Sequence, residues 1–156
     1  MNKLIYAAAF TLAISSTIPV FAKSPNDAKV THLGNSAAIP DTAQTYDATH
    51  KFDVHIQGKA VSELIIELPE DVKITEGIEV NNKSGEEIPA TVSINGKKAT
   101  IAFSEAVNPG TSLSIQMQGV LTPIYANTWH YSVSAKKVGF KEEIPLGLAR
   151  VNTYSG

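Results

Sequence analysis

The 156-residue chain contains no cysteine. That absence removes disulfides, thiol nucleophiles, cysteine-bound zinc and iron–sulfur ligation together. Arginine occurs once, at position 150, and tryptophan once, at position 129. Basic residues cluster no further than the pairs Lys97-Lys98 and Lys136-Lys137. Nothing in that distribution would hold a phosphate backbone, so nucleic acid is not an expected partner. There is no P-loop, no G-x-G-x-x-G, no G-x-S-x-G and no S-x-x-K. From position 50 onward no segment has the 3.6-residue period of a long amphipathic helix.

Long apolar runs are also scarce. The one at the start, Leu4 to Ile14, follows Lys3 and ends in a polar "SST". A transmembrane helix needs about 20 apolar residues, so this run is too short to span a bilayer. Val20-Phe21-Ala22 supplies the small residues of a signal-peptidase site. Residues 1–22 therefore read as a cleaved secretory leader, and the exported chain would begin at Lys23. The leader carries Lys3 and no acid, so its removal takes the net charge of −2 to −3. About 130 residues remain, enough for one ordinary hydrophobic core.

Residues 23–49 are polar and without a sustained period, and read as a partly disordered lead-in with at most a short strand near Val30 to Leu33. From His50 the period is two. Phe52, Val54 and Ile56 alternate with Lys51, Asp53, His55 and Gln57. "VSELIIEL" and a shorter run around Ile78 and Val80 follow. "ATVSINGKKATIAF" places Asn95-Gly96 between two alternating runs, a hairpin signature in which both turn residues take positive φ. Leu113, Ile115 and Met117 alternate after "NPGT". In "NTWHYSV", Trp129, Tyr131 and Val133 share the inward parity and His130 the outward one. The last strand lies within "LGLARVNTY", with Gly147 marking a bulge. Roughly seven to eight short strands predict an all-β domain over 50–156, an immunoglobulin-like antiparallel β-sandwich.

Candidate chemistry is thin. The four histidines stand at 32, 50, 55 and 130. His50 and His55 are at odd spacing and cannot share a strand face. A metal site would need His50, His130 and an acid to converge; the plainer reading of each histidine is a surface residue. No histidine stands at the new N-terminus, where copper could be held. The acid pairs in "SGEE" and at Glu142-Glu143 sit in polar turns with no apolar pocket to raise a pKa. "NKS" at Asn82 is a short sequon with no further support. The expectation is a non-enzyme without cofactor or metal. Arg150 could hold a carboxylate with two parallel bonds, from Asp53 or from Glu142-Glu143, or form an ordinary surface pair. Leu121, Ile124 and Tyr125 stand beside turn residues in "LTPIYANT", where they are either exposed for contact or cap the core.

Three segments carry a family resemblance: "HKFDVHIQGKAVSELIIELPEDVKI", "GEEIPATVSINGKKATIAFSEAVNPGTSLSIQMQGV" and "EIPLGLARVNTY". The second ends in a PGT-x-L-x-I pattern closed by Gly119-Val120, and the third contains IP-x-G-x-AR-x-x-TY. Together they resemble a cyanobacterial family of exported proteins known as domain of unknown function 2808. The resemblance spans about residues 46–155. It implies an exported, single-domain, β-rich protein of the periplasm or thylakoid lumen. It implies no reaction, cofactor or established partner. The functional expectation is thus an exported β-sandwich that binds another envelope protein. The alternatives are a periplasmic metal or small-ligand carrier and, last, a glycan-binding module using Tyr125 and Tyr154.

Overall fold

The computed structural model describes residues 30–155. The expected leader, 1–22, and the first part of the expected lead-in, 23–29, lie outside the described residues. Nine strands follow one another without a helix among the described residues: β1 (His32–Ile39), β2 (Ala48–His55), β3 (Val61–Glu67), β4 (Lys73–Asn82), β5 (Ala90–Asn95), β6 (Lys98–Val107), β7 (Ser112–Leu121), β8 (Asn127–Lys137) and β9 (Ile144–Thr153). They form two antiparallel sheets. One has the order β9-β8-β3-β6-β5 and the other β1-β2-β7-β4. The all-β sandwich is therefore present, with nine strands where turn spacing suggested seven to eight. The additional strand is β1. Its sequence, "HLGNSAAI", has no alternation, and its register slips between Leu33 and Ser36.

The core is made where the two-residue period predicts it. β2 contributes Phe52 and Val54, β7 Leu113, Ile115 and Met117, and β3 Leu64 and Ile66. β6 adds Ala99 and Ile101, and β8 adds Trp129, Tyr131, Val133 and Ala135. Each fully buried large aliphatic side chain contributes roughly 1.5–3 kcal/mol, so these facing rows dominate stability. β9 turns Ala149, Val151 and Thr153 inward and Leu148 and Arg150 outward, after a register shift between Pro145 and Gly147.

The hairpin between β5 and β6 is centred one residue later than expected. Asn95 pairs with Lys98, so the two loop residues are Gly96 and Lys97. Gly96 has φ 62, whereas Asn95 is not among the positive-φ residues. Glycine at the first central position is what a type II′ turn requires. The parity of both strands is unaffected.

The connections alternate between the two ends of the sandwich. The β1–β2, β3–β4, β5–β6 and β7–β8 loops lie at one end, and the end of β9 joins them there. At that end β1 runs into the five-stranded sheet: Ala43 N–H donates to the Tyr154 carbonyl at 2.7 Å, and Tyr154 N–H to the Asp41 carbonyl at 2.8 Å. Lower down, Ser36 Oγ donates to the Arg150 carbonyl. The β1 and β9 edges thereby shield one another, which removes a template for unwanted strand pairing.

Candidate functional site

Ten large hydrophobic side chains are exposed among the described residues, and six stand at the end just defined: Ile39, Tyr46, Leu121, Ile124, Tyr125 and Tyr154. Tyr46 and Ile124 are the most open of them, at 76% and 67%. Their placement follows from local backbone geometry. β7 turns odd-numbered residues inward as far as Gly119, but Val120 is buried as well and Leu121 points out. The parity changes at Gly119, which has φ 63 and lies opposite the slip in β4 between Ile74 and Gly77. A Cβ on Gly119 would come within 2.3 Å of Thr75 Oγ1. The same hydroxyl donates to the Gly119 carbonyl at 2.6 Å. A regular strand would have buried Leu121, and this bulge exposes it.

The β7–β8 loop then crosses from one sheet to the other. Tyr125 lies with its ring centroid 5.9 Å from that of Trp129. Trp129 is buried, and its Nε1–H donates to Thr153 Oγ1 at 3.0 Å. Tyr125 thus has one edge anchored on the core and the rest of its ring in solvent. Beside it, a shallow groove runs between Ala126–Thr128 and Asn152–Tyr154. Its floor carries the Thr128 hydroxyl, 2.8 Å from Asn152 Oδ1. In the β1–β2 loop, the Asp47 carboxyl lies against Glu76. The hydrogen bond to Asp47, and then its charge, hold the Glu76 carboxyl above its ordinary range.

Leu121, Ile124 and Tyr125 are therefore brought together and exposed. Arg150 does not join them. It lies on the outer face of β9 opposite His130, exposed, and no carboxylate among the described residues pairs with it. Glu143, one expected partner, lies 3.7 Å from Lys98 instead. Asp53 is on β2, in the other sheet.

The histidines also depart from expectation. His50 is fully buried rather than superficial, while His130 faces outward, so the two do not converge. Among the described residues no group of three His, Cys, Asp or Glu side chains could hold a metal. His50 Nδ1 lies 2.7 Å from the Tyr131 hydroxyl, and its Nε2 has no hydrogen-bond partner. Burial lowers the His50 pKa to about 4 and pushes that of Tyr131 up. The shared parity of His50 with Phe52 and Val54 was the available signal for this burial. The structure does bring His32 and His55 together, a pairing that depends on the β1–β2 register.

The sequence matches the family described as "Protein of unknown function (DUF2808)" over residues 21–151. The chain belongs to that family. No curated protein matches it. Among solved structures, this family member is similar to the N-terminal domain of the Streptococcus gordonii adhesin Sgo0707, at 12% identity and TM-score 0.55, over 80% of this chain and 32% of that one. It is similar to the major pilin SpaD of Corynebacterium diphtheriae at 16% identity and TM-score 0.52, over 78% of this chain and 34% of that one. It is also similar to BslA, a bacterial hydrophobin, at 10% identity and TM-score 0.52, over 79% and 91% of the two chains. The DUF2808 chain thus spans about a third of the adhesin and the pilin. At such identities the likeness is one of fold.

Proposed function

We propose that this DUF2808 protein is an exported, non-catalytic binding module that docks on another protein of the cell envelope through the Leu121–Ile124–Tyr125 end of the sandwich. The observation that carries the reading is the gathering there of six of the ten exposed large hydrophobics. Exposed apolar side chains scattered singly need no explanation, whereas a concentration at one end does. Tyrosine suits such a surface, because it offers a large area, a polar tip and little rotamer entropy to lose. The sharing of this fold with chains named adhesin and pilin supports export and contact with other proteins. The periplasm or the thylakoid lumen is the compartment we favour. Arg150, on the outer face of β9, is at most a peripheral contact.

The test is a pair of substitutions, Ile124→Ser and Tyr125→Ser. Truncation of a central anchor costs about 2 kcal/mol or more in binding, a loss of more than tenfold. Ile124 is exposed, so the melting temperature of its variant should barely move, while Tyr125→Ser gives up the ring contact with Trp129 and should lose slightly more. Undiminished association of the double variant with its native complex would reject the proposed surface.

A further inference from the structure

A second feature lies near the opposite end, on the outer face of the four-stranded sheet. His32 on β1 and His55 on β2 are direct register partners. Their ring centroids are 5.0 Å apart, with the planes inclined at 43°. Two imidazoles bound to one ion at about 2.0–2.1 Å, with a near-tetrahedral angle between them, place their centroids roughly 5 Å apart. Rings at this separation can share one ion once both Nε2 atoms turn toward it.

The hydrogen bonds prepare both rings for this role. His32 Nδ1 lies 2.9 Å from the Val30 carbonyl. A carbonyl only accepts, so Nδ1 carries the proton and Nε2 keeps its lone pair. His55 Nδ1 lies 2.8 Å from Ser112 Oγ on β7. In the tautomer that donates to that hydroxyl, the lone pair of His55 is on Nε2 as well. These are the outer contacts that orient metal-bound imidazoles.

The backbone leaves room at the same place. What the missing side chain at Gly34 admits is the His55 ring itself: a Cβ there would come within 2.5 Å of His55 Nε2 and 3.0 Å of Asp53 Cβ. The β1 register slips there, between Leu33 and Ser36. Asp53, on the same face of β2 as His55, adds a favourable negative charge, and Lys83 opposes it.

We infer that His32 and His55 form a surface site for a divalent first-row transition cation, with water completing the coordination shell. Imidazole donors select zinc, copper or nickel over magnesium or calcium. With two protein ligands the site is open and exchangeable, unlike a closed structural zinc centre. It is separate from the docking end and independent of that reading.

The test is zinc titration of the full chain, followed through its histidine side-chain ¹⁵N and ¹H resonances. The expected result is one-to-one saturation, in which the Nε2 signals of His32 and His55 move together while those of His50 and His130 stay fixed. His32→Gln or His55→Gln should each weaken binding by about tenfold or more. Ser112→Ala should weaken it less, and His130→Gln should leave it unchanged. Absence of saturable binding, movement of His130 without His32 and His55, or undiminished affinity in both glutamine variants would overturn the site. The resonance readout uses the unsubstituted chain, so the answer does not depend on how the variants fold.

Discussion

His50 and Tyr131 meet across the sandwich, one from each sheet, with Nδ1 of the imidazole 2.7 Å from the phenol oxygen. The rings stand edge to face at 89°. Both residues are fully buried, so this polar contact ties together two otherwise apolar layers. Low local dielectric makes such a bond strong when made and its loss costly.

The pair sets an acid limit on stability. The folded His50 has a pKa of about 4, and an unfolded histidine titrates near 6.5. Between those values the unfolded chain binds a proton that the folded chain refuses. Stability therefore rises with pH across this window and falls as pH drops from about 6.5 to 4. The loss approaches about 3 kcal/mol at the lower end. Urea unfolding at a series of pH values should show a steeper slope in the native chain than in His50→Gln. Equal slopes in the two would contradict the assignment.

Removing both members of the pair together should cost less than the sum of removing each alone. Tyr131→Phe strands a buried imidazole nitrogen, at about 1–3 kcal/mol. His50→Phe strands the phenol oxygen at a similar cost. The double variant should fall short of the sum by about 0.5–3 kcal/mol, the coupling expected of residues in direct contact. A double-mutant cycle in urea measures it, and strict additivity would deny the bond a role.

Gly96 and Gly119 have nearly the same φ, 62 and 63, but different surroundings. A Cβ at Gly96 meets nothing within 4 Å, whereas one at Gly119 meets Thr75 Oγ1 at 2.3 Å. Gly96→Ala should therefore cost only the backbone strain, about 1 kcal/mol. Gly119→Ala should cost that plus overpacking, a further 1–3 kcal/mol. Thermal unfolding of the two variants makes the comparison directly. Equal losses would mean that the bulge relaxes freely, and would weaken the account of why Leu121 is exposed.

Trp129 is a built-in reporter for the candidate end. It is the only tryptophan, it is buried, and it touches Tyr125. Partner binding over Tyr125 should alter its emission, while zinc at His32 and His55 should leave it unchanged. A zinc response at Trp129 would show that the two regions are not independent.

Much of the architecture was legible because a strand buried on one face has a period of two. Phe52, Val54, Ile101, Ile115, Trp129 and Tyr131 all lie where alternation puts them. The same rule places His50 inside, and only the habit of reading histidine as a surface residue hid this. β1 was hard to read because its bulged, small-residue sequence carries no alternation. The exposure of Leu121 was only half legible. Turn residues mark the loop, but the parity change at Gly119 depends on Thr75 in a neighbouring strand. The His32–His55 pairing depends on the β1–β2 register, which the long connection over 40–47 and the slip between Leu33 and Ser36 leave unspecified by local sequence. The lack of an acid beside Arg150 likewise reflects long-range placement, since Glu143 reaches Lys98.

The docking end is tested most directly by residue-resolved photo-crosslinking in intact cells. A photoreactive phenylalanine analogue is placed in turn at Ile124, Tyr125, Tyr154 and, as an exposed control on β5, Ser93. The account predicts one protein adduct of constant mass from the first three positions and none from Ser93. That adduct should disappear when Leu121→Ser is added to the Tyr125 probe. Adducts formed equally from Ser93, or none from the apolar end while the chain is folded and exported, would contradict it.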